Sequence, residues 1–141
     1  MNITQLKQNN SQIKNFENKE WKFSDIEHYG KDNKYFKKSY KFAAQDDNEN
    51  IVGIIEVIIE PNVALLEAIL VDHQLKRQGI GKKLIEYAEM FAKQQKCSKI
   101  YLETNEGWGA EEFYKKMGYE ITGKHKNHVY GQTGLIFTKF F

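Results

Sequence analysis

Segment 79–81, Gly-Ile-Gly, has the residue types and the spacing of an anion-binding turn. It follows the apolar run 63–71 and precedes an amphipathic stretch that begins near Lys82. Two glycines separated by one residue let the main chain approach a ligand closely and point successive N–H groups in one direction. A helix that starts here presents unpaired amides and a positive dipole end, and Lys76 and Arg77 add positive charge. The pattern predicts a site for a pyrophosphate.

Two other phosphate-binding motifs do not fit the same segment. The Gly-x-x-x-x-Gly-Lys-Ser/Thr spacing of a Walker loop is absent. Leu84 stands where a Rossmann fingerprint needs its third glycine, which disfavours dinucleotide binding. A Gly-x-Gly pair by itself is also typical of a tight turn, so a pyrophosphate cradle and a simple turn remain the two interpretations.

A second pattern lies downstream: Asn105, followed at 110–119 by Ala-Glu-Glu-Phe-Tyr-Lys-Lys-Met-Gly-Tyr. Together with Lys-Arg-Gln-Gly-Ile-Gly at 76–81, it resembles the GNAT acetyltransferases, whose motifs are (Arg/Gln)-x-x-Gly-x-(Gly/Ala) and Asn…Ala-x-x-Phe-Tyr-x-x-x-Gly-(Phe/Tyr). Lys76 departs from the usual Arg or Gln and keeps the charge. The resemblance runs from about residue 51 to the C-terminus, whereas residues 1–50 match nothing specific.

The resemblance implies acetyl-CoA as cosubstrate and a set of residues that hold it. The pyrophosphate would be bound by main-chain N–H groups of residues 77–82. The acetyl oxygen would meet amides near Leu70 and Val71, where this strand separates from its neighbour in the family. Tyr114 would protonate the leaving thiolate as general acid, although an aromatic side chain packed beside Phe113 is the alternative. The implied coenzyme-binding residues are Leu70, Val71, Lys76, Arg77, Gln78, Gly79, Ile80, Gly81, Lys82, Asn105 and Tyr114.

Two carboxylates are candidates for the general base that the attacking amine requires. Glu67 lies four residues before Val71, where many family members place a carboxylate facing the acceptor. Glu56 interrupts the preceding apolar strand. If the hairpin turns symmetrically about Pro61 and Asn62, Glu56 and Glu67 stand opposite each other, and one of their pKa values should rise. The alternative is two glutamates on a solvated face of the sheet.

Other side chains with possible chemistry have weaker patterns. Cys97 lies at a helix-to-strand junction away from both motifs, which disfavours an acetyl-cysteine intermediate. His125 and His128 either contact the acceptor or lie in a surface loop, and Trp108 either walls the cleft or anchors its loop. The four histidines lack the spacing of a metal site, so no metal is expected.

The elements that must position these residues follow from hydrophobic periodicity. Helices are predicted at 11–30, 82–96 and 110–117, and strands at 3–7, 40–45, 51–59, 63–71, 99–103, 119–122 and 135–140. A strand, a helix and another strand in succession favour a right-handed crossover between parallel neighbours. The predicted class is α/β (α+β): a GNAT-like mixed, mostly antiparallel sheet with a central parallel pair and helices on both faces.

Composition limits the class of protein. The 141 residues fit one domain, residues 1–141. A net charge of +2 is too balanced for nucleic-acid binding, and no apolar stretch approaches the ~20 residues of a membrane span. The polar N-terminus argues against a secretory signal, and the single cysteine excludes an internal disulfide. We expect a cytoplasmic monomer or homodimer.

The sequence therefore predicts an acetyl-CoA-dependent N-acetyltransferase that transfers acetyl directly to a primary amine in a ternary complex. The acceptor is either a small-molecule amine or a protein amine. The alternative is a non-catalytic module that binds or senses acyl-CoA.

Overall fold

The computed structural model describes residue 1, residues 3–6 and residues 10–141. The chain divides into two compact units, Met1–Tyr35 and Phe36–Phe141. None of the helices in the described part of the chain is long and apolar enough to cross a bilayer. The single-domain organisation stays a prediction.

The first unit contains helix α1, Ser11–Tyr29. The helix begins after Asn10, whose side chain accepts a hydrogen bond from the Gln12 amide, and it ends at Gly30 in the left-handed region (φ 71°). The helix predicted at 11–30 is confirmed. The strand predicted at 3–7 is wrong for residues 3–6, which have no regular structure, and Lys7 lies outside the described residues.

The second unit is a six-stranded sheet with two helices. In chain order its elements are β1 (Lys38–Gln45), β2 (Ile51–Glu60), β3 (Val63–Val71), α2 (Ile80–Gln94), β4 (Lys99–Asn105), α3 (Glu111–Lys116), β5 (Glu120–His125) and β6 (Gly134–Phe140). The strand order is β1-β2-β3-β4-β6-β5, and β3–β4 is the parallel pair at its centre. The predicted mixed, mostly antiparallel fold with a central parallel pair is confirmed.

The core lies between α2, α3 and one face of the sheet. Helix α2 buries the stripe that its sequence pattern predicts, including Leu84, Ile85 and Ala88. Helix α3 packs on the same face, because the ring of its Tyr114 lies 5.5 Å from that of Phe137 on β6. A helical layer on the opposite face stays a prediction.

The central pair β3–β4 opens towards the carboxyl ends of both strands. Within the described residues, pairing between these strands stops at Leu65↔Tyr101, although β3 continues to Val71 and β4 to Asn105. Each strand stays paired with its outer neighbour over this length. The sheet therefore has an opening whose two edges carry main-chain groups that are not used in the β3–β4 ladder.

Candidate active site

The turn before α2 presents its main chain to a cavity. Arg77 and Gly79 have φ angles of 65° and 82°, so the chain bends twice through the left-handed region. The amide of Lys83 donates to the Gly79 carbonyl and makes the first helical bond, which leaves the preceding amides of the helix without intrahelical partners. The cavity has a volume of about 240 Å³ and is lined by Val71, Leu75, Lys76, Arg77, residues 79–82 and Phe113.

Glycine occurs at positions 79 and 81 of this turn for different physical reasons. Gly79 needs its positive φ, whereas a Cβ atom on Gly81 would meet Val71 at 3.7 Å, which is ordinary contact. Nothing in the packing of the protein itself therefore demands glycine at 81. Its missing side chain instead keeps the cavity open beside the free helix amides, and this fits the predicted pyrophosphate.

The charge of the cradle comes from three exposed cations. Lys76, Arg77 and Lys82 all line the cavity, while Gln78, also predicted to bind the coenzyme, does not. Lys82 lies 3.7 Å from Glu86, one turn along α2, so part of its charge is balanced. The main-chain amides and the two remaining cations leave the cavity positive.

The amides at the end of β3 point in alternate directions. Asp72 donates its N–H to the Val52 carbonyl on β2. Because main-chain groups alternate along an antiparallel strand, the N–H of Leu70 also points to β2, and that of Val71 points to the opening. Of the two predicted residues, Val71 has the amide direction that an oxygen in the opening requires.

Tyr114 follows Phe113, which lines the cradle, and its ring belongs to an aromatic layer. Its ring contacts those of Phe113, Tyr119 and Phe137 at centroid distances of 5.3, 5.9 and 5.5 Å. Burial raises the pKa of Tyr114, so the phenol stays protonated at neutral pH. Its hydroxyl has no hydrogen-bond partner among the described residues, which leaves the proton free for a ligand.

The sequence did not predict a partly buried ion pair next to these rings, between Lys139 and Glu89. Lys139 on β6 donates to Glu89 Oε2 at 2.7 Å and to the Met117 carbonyl at 2.8 Å. Burial, followed by the charge of Glu89, raises the pKa of Tyr119. Glu89 occupies an apolar position of the α2 stripe, four residues after Ile85, and a carboxylate there was the available signal.

The predicted pairing of Glu56 with Glu67 is wrong. A bulge shifts the register, so Glu56 lies opposite Ala68, Val57 lies opposite Leu66, and Glu67 is the extra residue.

Glu56 instead faces β1. It accepts a hydrogen bond from Ser39 Oγ at 2.7 Å and pairs with Lys41 at 3.1 Å. The Ser39 hydrogen bond and then Lys41 lower the pKa of Glu56. Glu67 is exposed at the bulge, beside the start of the opening.

A second cavity lies at the end of β4. Its volume is about 300 Å³, and it is lined by Glu103, Thr104, Asn105, Trp108, His128, Val129 and Gly134. Asn105, predicted to bind the coenzyme, lines this cavity and not the cradle. His125 lies 3.7 Å from Glu103, and its ring is 5.1 Å from that of His128.

Cys97 is buried at the junction of α2 and β4. Burial raises the pKa of the thiol, which disfavours the nucleophilic thiolate.

A sheet opened at its parallel pair, with an anion cradle at the end of one of the two strands, defines an α/β protein of the acyl-CoA-dependent transferase class. The acetyltransferase (GNAT) family matches residues 10–119 of the sequence, and the chain belongs to this family. No curated protein matches the sequence.

Several solved structures share the fold. An acetyltransferase from Bacillus cereus ATCC 14579 has 20% identity over 98% of both chains and a TM-score of 0.74. A GNAT family acetyltransferase from Elizabethkingia anophelis with acetyl-CoA bound has 19% identity over 73% of this chain and 76% of its own, with a TM-score of 0.69. A protein from Bacillus anthracis str. Ames, described as a streptothricin acetyltransferase in complex with acetyl coenzyme A, has 27% identity over 73% of this chain and 63% of its own, with a TM-score of 0.67.

Proposed function

We propose that this protein is an N-acetyltransferase that moves acetyl from acetyl-CoA directly to a primary amine while both substrates are bound. The observation that carries the proposal is that the cradle and the opened strand pair meet at the end of β3. A pyrophosphate held by the turn before α2 is thereby next to main-chain donors that no strand uses.

The coenzyme supplies an acetyl group activated as a thioester. The free amides of residues 80–82, with Lys76 and Arg77, would hold its pyrophosphate by hydrogen bonds and charge. The N–H of Val71 points to the opening and would stabilise negative charge on the acetyl oxygen. Leu70 contributes to the strand and not to this interaction.

The acceptor must lose a proton before it attacks. An alkylamine with a pKa of ~10.4 is neutral in about one molecule per thousand near pH 7, a handicap of roughly 4 kcal/mol. Glu67 is the proposed base because it is exposed at the bulge and has no lysine partner among the described residues. Glu56 is hydrogen-bonded to Ser39 and paired with Lys41, both on β1, so we assign it a structural role.

Tyr114 is the proposed acid. Its burial keeps the phenol protonated, and its hydroxyl is free to donate a proton to the departing sulfur. Cys97 is given no role, because it lies at the junction of α2 and β4 and its burial disfavours the nucleophilic thiolate.

The test is coenzyme A release, measured as free thiol, with acetyl-CoA and a panel of amines. Amine-dependent thiol release together with an acetylated amine detected by mass spectrometry is the expected result. Binding of acetyl-CoA without transfer to any amine would instead support the non-catalytic binding module. A cytoplasmic location and a monomer or homodimer stay predictions.

A further inference from the structure

The second cavity lies on the face of the sheet that α2 and α3 do not cover. Leu102 is buried beside its cross-strand partner Phe137, on the helix-covered face. Because side chains alternate along a strand, Glu103 and Tyr101 point to the opposite face. The cradle and the second cavity thus lie at the same end of the parallel pair, one at the end of β3 and the other at the end of β4.

Glu103 differs from other carboxylates of this region in its partner. Glu56 pairs with Lys41 at 3.1 Å, and Glu106 pairs with Lys124 at 2.7 Å. Among the described residues, the cationic group that Glu103 pairs with is the imidazole of His125, which carries charge only when it is protonated. Among the described residues, the carboxylate of Glu103 therefore has no lysine or arginine partner.

A second carboxylate, Glu67, lies on the other edge of the opening. Continued two residues past its last pair, Leu65↔Tyr101, the offset of the ladder puts Glu67 level with Glu103 along the strands. Burial, followed by the charges of Glu60, Glu103 and Glu67, raises the pKa of Tyr101. Glu60, whose charge has the largest of these three effects, is paired with Lys37 at 3.6 Å, whereas Glu67 has no cationic partner among the described residues.

Trp108 supplies an aromatic wall. Gly107 and Gly109 both have positive φ angles, 82° and 75°, so the chain bends on each side of the indole and presents it to the cavity. The Gly107 amide donates to Glu111 Oε1 at 2.9 Å, which ties the loop to α3. An exposed indole beside a carboxylate without a fixed cation suits an alkylammonium group, since the ring face attracts the cation and the ring packs on the alkyl stem.

We propose that the second cavity is the acceptor pocket and that it selects a small diamine, with Glu103 and Trp108 holding one ammonium group while Glu67 deprotonates the other. The reaction leaves one amine acetylated and one still charged. The nitrogen that attacks must be neutral, so a cation held at Glu103 is a second group on the same molecule. This proposal rests on the proposed N-acetyltransferase function.

The experiment compares three acceptors of equal chain length: 1,4-diaminobutane, 1-aminobutane and 4-aminobutanoate. We expect kcat/KM for the diamine to exceed that for the monoamine at least about tenfold, because a partly desolvated ammonium–carboxylate contact is at stake. The amino acid should be the poorest substrate, because its carboxylate would lie beside Glu103.

Two variants assign the preference to the cavity. Glu103→Gln keeps the shape of an exposed side chain and should raise KM for the diamine about tenfold, bringing it to the level of the monoamine, with the KM for acetyl-CoA unchanged. Trp108→Ala should raise the diamine KM, and Trp108→Phe should restore most of the affinity. Glu120→Gln, an equal charge change at an exposed position of β5, is the matched control.

The outcomes separate this proposal from the function on which it rests. Equal use of the diamine and the monoamine by the wild type, or an undiminished preference in Glu103→Gln, would overturn the diamine pocket while leaving the acetyltransferase intact. Absence of thiol release with every amine would overturn both.

Discussion

The cradle and the second cavity lie at the ends of two neighbouring strands and are built on different principles. The cradle comes from segment 71–82 with one residue of α3, Phe113, and its proposed binding groups are main-chain amides at the start of α2. The second cavity takes side chains from β4, the 105–110 loop and residues 128–134. In the proposed function the cradle binds the pyrophosphate of the coenzyme, for which a fixed main-chain shape is enough. The second cavity would recognise a particular acceptor, for which side chains carry the information.

The difference in charge is as marked as the difference in construction. Lys76, Arg77 and the helix amides give the cradle positive charge, whereas the second cavity is lined by the carboxylate of Glu103. We therefore propose that an anionic coenzyme and a cationic amine approach the opening from opposite sides. The opened strand pair would then separate a positive site from a negative one.

The largest effect is expected when the sign of the cradle is reversed. Gly81→Asp places a carboxylate in the first turn of α2, where it favours the helix, yet it puts negative charge beside the pyrophosphate. Affinity for acetyl-CoA should fall about a thousandfold, measured by calorimetry. Lys83→Gln changes the net charge equally on the exposed side of the same turn and should alter affinity less than about threefold. Equal losses in the two variants would mean that total charge, and not the cradle, binds the coenzyme.

A smaller effect is expected at Tyr114 of α3, which would serve the reaction and not binding. Tyr114→Phe retains the ring contacts with Phe137 and Tyr119 and should lower kcat about a hundredfold. Its dissociation constant for acetyl-CoA, measured in the same preparation, should stay within about twofold of the wild-type value. Tyr119→Phe is the matched control, and an unchanged kcat in Tyr114→Phe would remove the assignment of the acid.

The assignment of the general base is tested with two glutamates on neighbouring strands, Glu67 on β3 and Glu56 on β2. Glu67→Gln should lower kcat/KM for the amine about tenfold at pH 7, because the amide of glutamine cannot accept the proton of the attacking amine. Glu56→Gln should leave kcat/KM within about twofold, since Glu56 is engaged by Ser39 and Lys41. The reverse ranking in steady-state kinetics would contradict the roles that follow from the bulge.

The smallest effect is a pH dependence of folding stability, which we expect from the buried tyrosines and not from the exposed second cavity. Burial raises the folded-state pKa values of Tyr114 and Tyr119 above that of an unfolded tyrosine, about 10. The folded state therefore binds more protons than the unfolded state above that pH, and stability falls as pH rises from about 10. We would measure the urea concentration at the unfolding midpoint from about pH 8 to about pH 11, a range that brackets this pKa. In the wild type the midpoint should fall at the alkaline end. Tyr119→Phe should reduce that decline; an equal slope in this variant would mean that other groups cause it.

Hydrophobic patterning predicts much of the fold because each strand and helix carries its own periodicity. The stripe of α2 and the apolar run of β3 identify both elements, and Gly79 explains why the helix begins at Ile80 and not at Lys82. The parallel pair follows from the handedness of the strand-helix-strand unit. The register of β2 and β3 does not follow, because the bulge at Glu67 lies within the strands, away from the turn on which the predicted symmetry rests.

The site divides in the same way. Most of the cradle is one segment whose glycines are visible in the sequence, so many of its lining residues could be named in advance. Leu75 and Phe113 line it without having been predicted, and Gln78 was predicted but does not line it. The second cavity joins Glu103 and Trp108 to His128, which reaches it through a turn at Val129–Gly131 with no repeating pattern. Sequence spacing therefore suggested His128 and Trp108 as possible contacts but gave no reason to choose Glu103.

The central claim is that main-chain amides at the start of α2 hold the pyrophosphate of acetyl-CoA. Amide chemical shifts of ¹⁵N-labelled protein, followed during titration with acetyl-CoA, test it most directly. We expect saturable shifts that are largest at Gly79, Ile80, Gly81 and Lys82, with small changes at Glu103 and Trp108. Saturable shifts centred on the second cavity, or no shifts at any amide of the turn, would contradict it.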